Sequence, residues 1–578
     1  MKKCLAFLLG ILIPSVIFAK GDTVNVENAG TLSDKISATE KYDITNLKIT
    51  GELNGTDFLL LRDMAGIDID ANKTNGKLQV LDLSDAKIVA GGKAYYSDYT
   101  ALVDYYTVAN EISDRLFYDC KTLRNVNIPA TVTLIGDSAF YECDSLQEVG
   151  LNDKITSIGT NCFAYCKSMK SFVSPSSLVA LGEGAFADCD SLQSVTVPQS
   201  LTVIPAYSFR GCAALTSFDI PAGVTEIGED AFESCTFSSI KLPDGLKTIG
   251  KDAFMSCENL KGINFPQSLE SIGNSAFSSC SSLTSVVVPN TVKTLGSSNF
   301  AQCTSLKSVV LPEGLTELGS AMFDRDDSLT TVNIPKGVKS IGALAFQNCP
   351  MLTGVEIPDS VTAIGKYAFS ACESITSVIL PKGVKTLGNG AFSGCTNATK
   401  LVLSDSLTTI PMYCFNDGGF KGTIAIPEGV QTIENCAFMN LPGVDTLIIS
   451  STVTKLKRSA FANSTGLKAV FNYGQTPADC TKSRAFMDDE GNMAPPACTL
   501  YVPAGTADLY KAAEVWKEFS NIVEMTATGI NNTNTFNSTS KEYFTIDGKK
   551  VDSENAVRGI YILRESTASG ITVRKIVK

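Results

Sequence analysis

Residues 212–235 read CAALTSFDIPAGVTEIGEDAFESC, and the same frame recurs along most of the chain. Its closing phenylalanine, Phe232, belongs to a series that steps by 23 residues: Phe117, Phe140, Phe163, Phe186, Phe209 and Phe232. After one step of 22 the series continues through Phe254, Phe277, Phe300, Phe323, Phe346, Phe369, Phe392, Phe415, Phe438 and Phe461. A fixed period of this length, held for sixteen copies, marks a chain that winds into stacked coils, a solenoid. Such a stack grows by repetition, so a length of 578 residues need not mean several ordinary domains.

Within one coil the residue types assign the path. In the copy Cys189, Leu192, Val195, Val197, Pro198, apolar residues two apart point the same way off a strand, so Val195 and Val197 face inward and Thr196 outward. Proline then ends the strand because it has no N–H for the ladder; twelve copies keep it, among them Pro221, Pro289 and Pro358. A second apolar pair such as Val224 and Ile227 follows on the return side. A glycine comes next in eleven copies, for example Gly228 and Gly342, where a left-handed turn is expected. Ala231-Phe232 closes the coil with the ring in the interior. The expected fold class is a β-rich solenoid of parallel strands in 23-residue coils.

Composition excludes much chemistry. The chain has no histidine, so Ser-His-Asp triads, Cys-His pairs and His-ligated zinc are absent from it. No metal or cofactor is expected. Forty-eight Lys and Arg against 60 Asp and Glu give a net charge of −12, which disfavours nucleic acid and anionic lipid as partners. Acidic pairs such as Asp326-Asp327 and the run Asp488-Asp489-Glu490 read as solvated loops.

The ends differ from the middle. Residues 1–19 read as a signal peptide, with Lys2 and Lys3 before an apolar run that closes at Ala19, which implies an exported protein at the cell surface or outside the cell. Residues 20–112 are an irregular α/β capping region, with strands near Leu47–Gly51 and Leu78–Leu83 and a helix over Phe58–Ala65. Residues 113–470 hold the sixteen coils. Residues 471–525 break the period and read as a second cap, with a helix over Asp508–Phe519 around Trp516. A polar linker (526–541) leads to a small antiparallel β module (542–578).

The pattern C-x-x-L-x-x-V-x-I-P followed by V-x-x-I-G-x-x-A-F resembles the leucine-rich repeats of the BspA-like family of bacterial surface proteins. The resemblance covers roughly 113–470 and implies a non-catalytic adhesin that binds host extracellular or bacterial surface proteins. The last segment resembles a C-terminal sorting domain of type IX secretion, through Tyr543–Val551, Gly559-Ile560-Tyr561 and Lys575–Lys578. Gly548, Gly559, Tyr561 and Lys578 carry that likeness, and it implies the secretion machinery as a further partner. The proline-asparagine start common in that family is missing here.

Several residue groups are candidate sites. The outward strand position becomes apolar in the second half, giving a candidate protein-binding stripe of Val287, Val310, Ile379, Val402, Ile448 and Phe471. The bland reading is ordinary β-propensity on a flat sheet, or cover by a neighbouring module. The adjoining column of small hydroxyls (Ser171, Ser194, Ser217, Ser285, Ser308, Thr331, Ser377) makes a flat strip suited to a broad interface. Tyr95, Tyr96, Tyr99, Tyr105 and Tyr106 cluster in an insertion, where they either contact glycan or protein or pack the cap.

Twelve cysteines stand three residues after their phenylalanine and read as buried thiols, since stacked Cβ atoms near ~4.8 Å sit too far apart for a disulfide. Cys480 with Cys498 and Cys414 with Cys436 lie off that column and are candidate disulfides. A carbohydrate-active β-helix-like enzyme and a glycan-binding module are the alternative functions, and turnover of acidic polysaccharide or retention on a glycan array separates them from an adhesin.

Overall fold

The structure is a computed structural model that describes residues 22–487 and 497–525, together with strands of the C-terminal segment. The expected leader and Gly548, Gly559 and Lys578 lie outside the described residues. The chain forms two compact units, residues 1–198 and 199–578. Both are parallel-strand solenoids of the 23-residue repeat.

In the first unit the irregular N-terminal residues belong to the ladder. β1 (Asp22–Val26), β2 (Asn46–Leu53) and β3 (Val80–Asp82) pair in parallel and continue into strands Asn125–Asn127 and Glu148–Gly150. The steps are uneven before the regular repeat sets in: Asn46 faces Val80, Val80 faces Asn125, and Asn125 faces Glu148. Helix α1 (Gly55–Met64) fills one long step, and Asn54 starts it by accepting from the Thr56 N–H while Asp57 accepts from the Asn54 N–H. β4 (Ala86–Ile88) pairs with β2, and β5 (Gly91–Asp98) with β6 (Val103–Thr107) forms an antiparallel hairpin.

Around the phenylalanine, the turn donates its backbone N–H groups to the next coil, while return-side groups such as the Gly136 N–H donate to the coil behind. Arg115, Phe117 and Asp119 donate their N–H groups to the carbonyls of Asp137, Ala139 and Tyr141 in the next coil, at 2.8–2.9 Å. The turn carbonyls of the first full coil therefore have no coil behind them to donate. Arg62 of α1 supplies a donor: its side chain is fully buried, and Nη1 reaches the carbonyls of Arg115, Leu116 and Tyr118 at 3.3, 3.2 and 3.1 Å. Above it, Phe58 meets Phe117 edge-on (5.9 Å), and Phe117, Phe140, Phe163 and Phe186 stack face to face at 5.1–5.4 Å.

The second unit repeats this design. Short return-side strands pair in register, as in Val203–Ile204 through Thr294–Leu295. Its rings stack from Phe209 to Phe461 and then onto Phe486 at 5.3 Å, one rung beyond the expected series. The parallel sheet also runs on, from Ala469–Asn472 to Thr499–Pro503 and Asn521–Met525. The expected helix over Asp508–Phe519 is two pieces, α2 (Ala507–Ala512) and a single 3-10 turn, Trp516–Glu518. Trp516 and Phe519 close over Phe486, and the Trp516 indole donates to the Ala478 carbonyl at 2.9 Å. The 22-residue coil is accommodated by Phe237, buried edge-on against Phe232 at 5.5 Å. The C-terminal strands Ser538–Thr545, Lys550–Val551, Ile560–Thr567 and Gly570–Val577 pair antiparallel, with Tyr561 opposite Thr545 and Ile576. Among the described residues no helix is long and apolar enough to cross a membrane.

The role expected of the glycine column is corrected. Neither Gly228 nor Gly342 has a positive φ. A Cβ on Gly228 would stand 2.5 Å from the Ala206 nitrogen, and one on Gly342 would stand 2.5 Å from the Ser320 nitrogen. Glycine is needed because adjacent coils touch there. The left-handed positions lie two places before and after the phenylalanine, at glycines such as Gly390 and Gly394 in some coils and at other residues such as Asp230 (φ 51) and Ser234 (φ 60) in most.

Candidate binding surfaces

On the strand face, alternation places Val286 inward and Ser285 and Val287 outward. Val287, Val310 and Ile379 are 63%, 48% and 51% exposed, and Val173 in the first unit is exposed as well. Val402 is half-buried. Ile448 and Phe471 are 4% and 1% exposed, so the far end of the expected stripe is not accessible. The face strands lengthen there (Val444–Ile449, Ala469–Asn472), and their outward side chains pack with Ala425, Tyr473, Tyr501 and Met525. Tyr501 stacks on Phe471 at 4.5 Å.

The face is also not uniform. Between strands Thr331–Asn333 and Ser377–Ile379, residues 353–359 form no strand and keep only a bridge from Gly354 to Thr331. A cleft of about 550 Å³ opens there, walled by Val355, Ile357, Ile379 and Pro381 and edged by Glu356 and Asp359. Gly354, with open space where a Cβ would be, is the visible sequence signal.

The tyrosine insertion is the β5–β6 hairpin, and its rings divide into two groups. Tyr95 is buried, its hydroxyl donates to the Asp114 carbonyl at 2.5 Å, and burial pushes its pKa up. Tyr96 packs against Tyr105 and Tyr118, with the guanidinium groups of Arg62 and Arg115 at 5.2 and 5.5 Å from its ring. Arg115 is held in turn by Asp98 at 2.5 Å. These residues secure the hairpin to the first coil. Tyr99 and Tyr106 are exposed, as are Leu102, Val103 and Val108, and the Tyr99 hydroxyl donates to Asp70. Leu102, Val103 and Val108 extend the patch beyond the tyrosines that the sequence singled out.

The cysteine column serves the backbone. Cys143, Cys166 and Cys189 donate Sγ–H to the carbonyls of Phe117, Phe140 and Phe163 at 3.0–3.2 Å, and Cys235, Cys280, Cys349 and Cys372 repeat the contact. Ser464 makes it with a hydroxyl to Phe438. Burial pushes the thiols of Cys120, Cys257 and Cys395 up to about 12. The structure keeps the four candidate disulfide cysteines as thiols. Cys414 fills the buried place just before Phe415, whereas Cys436 lies two places before Phe438 at φ 55 and meets the Tyr413 hydroxyl. A one-residue offset in the coil turns these two side chains in different directions. Cys480 lies near Ser483 and Trp516, and Cys498 against its own strand.

Among the described residues, Glu229, Asp230 and Asp252 bring carboxylate oxygens within 4.8 Å of one another. Lys251 pairs with Glu229 at 2.8 Å and Asp252 at 3.0 Å and offsets one of the three charges.

A coil-to-coil hydrogen-bond ladder, a phenylalanine stack and a face of parallel strands define a leucine-rich-repeat solenoid. Residues 110–238, 225–353 and 339–468 match the family described as BspA type leucine rich repeat region, and the chain belongs to that family. It is similar to a leucine-rich repeat protein from Bacteroides ovatus ATCC 8483 (28% identity over 52% of this chain and 83% of that one, TM-score 0.45). It is also similar to a leucine rich cell surface protein from Faecalibacterium prausnitzii A2-165 (26%, 64% and 84%, TM-score 0.26). The pneumococcal vaccine antigen PcpA is a third likeness (17%, 80% and 88%, TM-score 0.27). No curated protein matches the chain. Members of this repeat class are in general non-catalytic and bind proteins.

Proposed function

We propose that the protein is an exported, surface-displayed adhesin that binds host extracellular or bacterial surface proteins through its strand face. One observation carries the reading: Val287, Val310 and Ile379 stand about half exposed on a rigid parallel sheet, beside a row of small hydroxyls. Exposed aliphatic groups on a preordered surface lose little conformational freedom on binding, which favours a broad protein contact. The cleft beside Ile379 takes an aliphatic side chain of the partner, and Glu356 and Asp359 favour a basic neighbour on it. Tyr99, Leu102 and Tyr106 on the hairpin give a second anchor of the type enriched at protein interfaces. The C-terminal strands serve as the sorting signal for export.

A pull-down from host matrix and co-resident bacteria with residues 22–525, compared with the Val287→Asp/Val310→Asp form, tests the binding. Loss of the captured proteins in the variant supports the face, and equal capture removes it. Protease added to whole cells tests display, and full protection of the protein ends the adhesin reading.

A further inference from the structure

The phenylalanine stack is stretched around Phe300, and to 5.8 Å between Phe392 and Phe415. Phe277 to Phe300 is 6.1 Å and Phe300 to Phe323 is 5.9 Å, against 5.4 Å just before and 5.2 and 5.0 Å just after. The coil-to-coil hydrogen bonds agree: Phe277 N–H to the Asn299 carbonyl and Phe300 N–H to the Met322 carbonyl are both 3.1 Å. Phe254 to Ala276 and Phe323 to Ala345 are 2.9 and 2.8 Å. The cause is in the sequence. The small alanine that precedes the ring in most coils, as in Ala276 and Ala345, is replaced by Asn299 and Met322, both buried. Two larger side chains in a column shaped for alanine hold the rungs apart.

Over this stretched segment the turn after the ring opens into a groove of about 630 Å³ that crosses five coils. Its floor is set by the left-handed residue two places after each phenylalanine: Ser256, Ser279, Gln302, Arg325 and Asn348, with φ between 54 and 62. Their backbone N–H groups are fixed to the next coil, as Gln302 is to Asp324 at 2.7 Å and Arg325 to Gln347 at 2.8 Å. Asp324 also holds two of the side chains, accepting from Asn348 and lying 3.8 Å from the Arg325 Nε. Glu258 and Asp327 line the edge.

The lining decides the ligand. It has hydroxyls, amides, two carboxylates and one guanidinium, and none of its residues is aliphatic or aromatic. A peptide would find no apolar wall for its side chains. Nucleic acid and acidic polysaccharide would meet two acids for one arginine on a chain of net charge −12. The hydroxyls, the two amides and the guanidinium, spread over successive coils, match a chain with paired hydroxyls on each unit. We propose that this groove is a binding site for a neutral linear glycan, laid along the coils from Ser256 to Asn348 and separate from the strand face that binds proteins.

The test uses the protein from residue 22 to its end. It is applied to an array of neutral oligosaccharides, and maltopentaose, cellopentaose and chitopentaose are titrated by calorimetry. Retention of at least one neutral linear glycan is expected. The Gln302→Leu/Arg325→Leu form should weaken that binding by about tenfold or more, because each change removes a hydrogen-bonding group from the ligand. Both residues are exposed, and an unchanged thermal melt shows that the variant is folded. Glu142→Gln, at the same turn position in another coil, leaves glycan binding unchanged. Val287→Asp/Val310→Asp impairs capture of proteins but not of glycan, so this site and the protein-binding face fail independently. Absence of any retained neutral glycan at about 1 mM, or undiminished binding by the double variant, overturns the assignment.

Discussion

The Cys349 thiol donates to the carbonyl of Phe323, 26 residues earlier, at 3.0 Å. That contact closes an acceptor at the point where the chain turns away from the ring, and it recurs from coil to coil. The column therefore selects a small buried donor, which is why serine stands in for cysteine at Ser464. Cys280→Ser should change stability little. Cys280→Ala leaves the Phe254 carbonyl with the Cys257 N–H alone and should cost about 0.5–1.5 kcal/mol, read from urea unfolding.

Asp326 is the exception in that column. It is fully buried, its Oδ1 accepts from the Cys303 N–H at 2.8 Å, and its Oδ2 has no partner. Burial raises its pKa well above the usual carboxylate range. The sign follows from the linkage. An acid whose folded pKa is raised leaves the fold most stable below its unfolded pKa, and stability is lost as pH climbs from there toward the folded value. Asp326→Asn supplies an uncharged donor, so it should raise the melting temperature at pH 7–8 and have a smaller effect near pH 4. Equal melting shifts at both pH values would show that ionisation of Asp326 is not linked to folding.

Arg62 closes the first full coil with three hydrogen bonds to carbonyls. Arg62→Met keeps the apolar stem and removes the donors. Bonds from charged donors contribute about 1.5–3 kcal/mol, so a loss of that order is expected. Hydrogen exchange should locate it in residues 113–135, ahead of the coils that follow.

Glycine pairs give a sharp contrast. Gly228→Ala drives a methyl group into the Ala206 backbone and should destabilise by about 2–4 kcal/mol. Gly245→Ala has open space around the new Cβ and should be neutral or slightly stabilising. Similar thermal shifts for both would refute close coil contact as the reason for the column.

The period was legible because interior rings must stack, and stacking imposes an equal number of residues between them. Phe486 escaped notice because its step is 25 residues rather than 23. Periodicity finds a column but not the depth at which it sits. Ile448 and Phe471 share the strand position of Val287, and only the packing of Tyr501 and Met525 around them shows that they are buried. Arg62 gave no local signal, because its partners lie 53–56 residues away. The glycine column was visible, but its cause lies between coils and cannot be read along one of them. The wedge of Asn299 and Met322 can be read as two departures from alanine, and its effect on spacing appears only in three dimensions.

Because the turn around each phenylalanine gives N–H groups to the coil ahead and the return side gives them to the coil behind, the repeat has a sense of direction like beads threaded by a hook and an eye. Excising or duplicating one whole bead leaves each remaining hook opposite an eye. Unequal recombination between gene copies can thus lengthen or shorten such a protein in single increments, and with it the reach of whatever the surface carries.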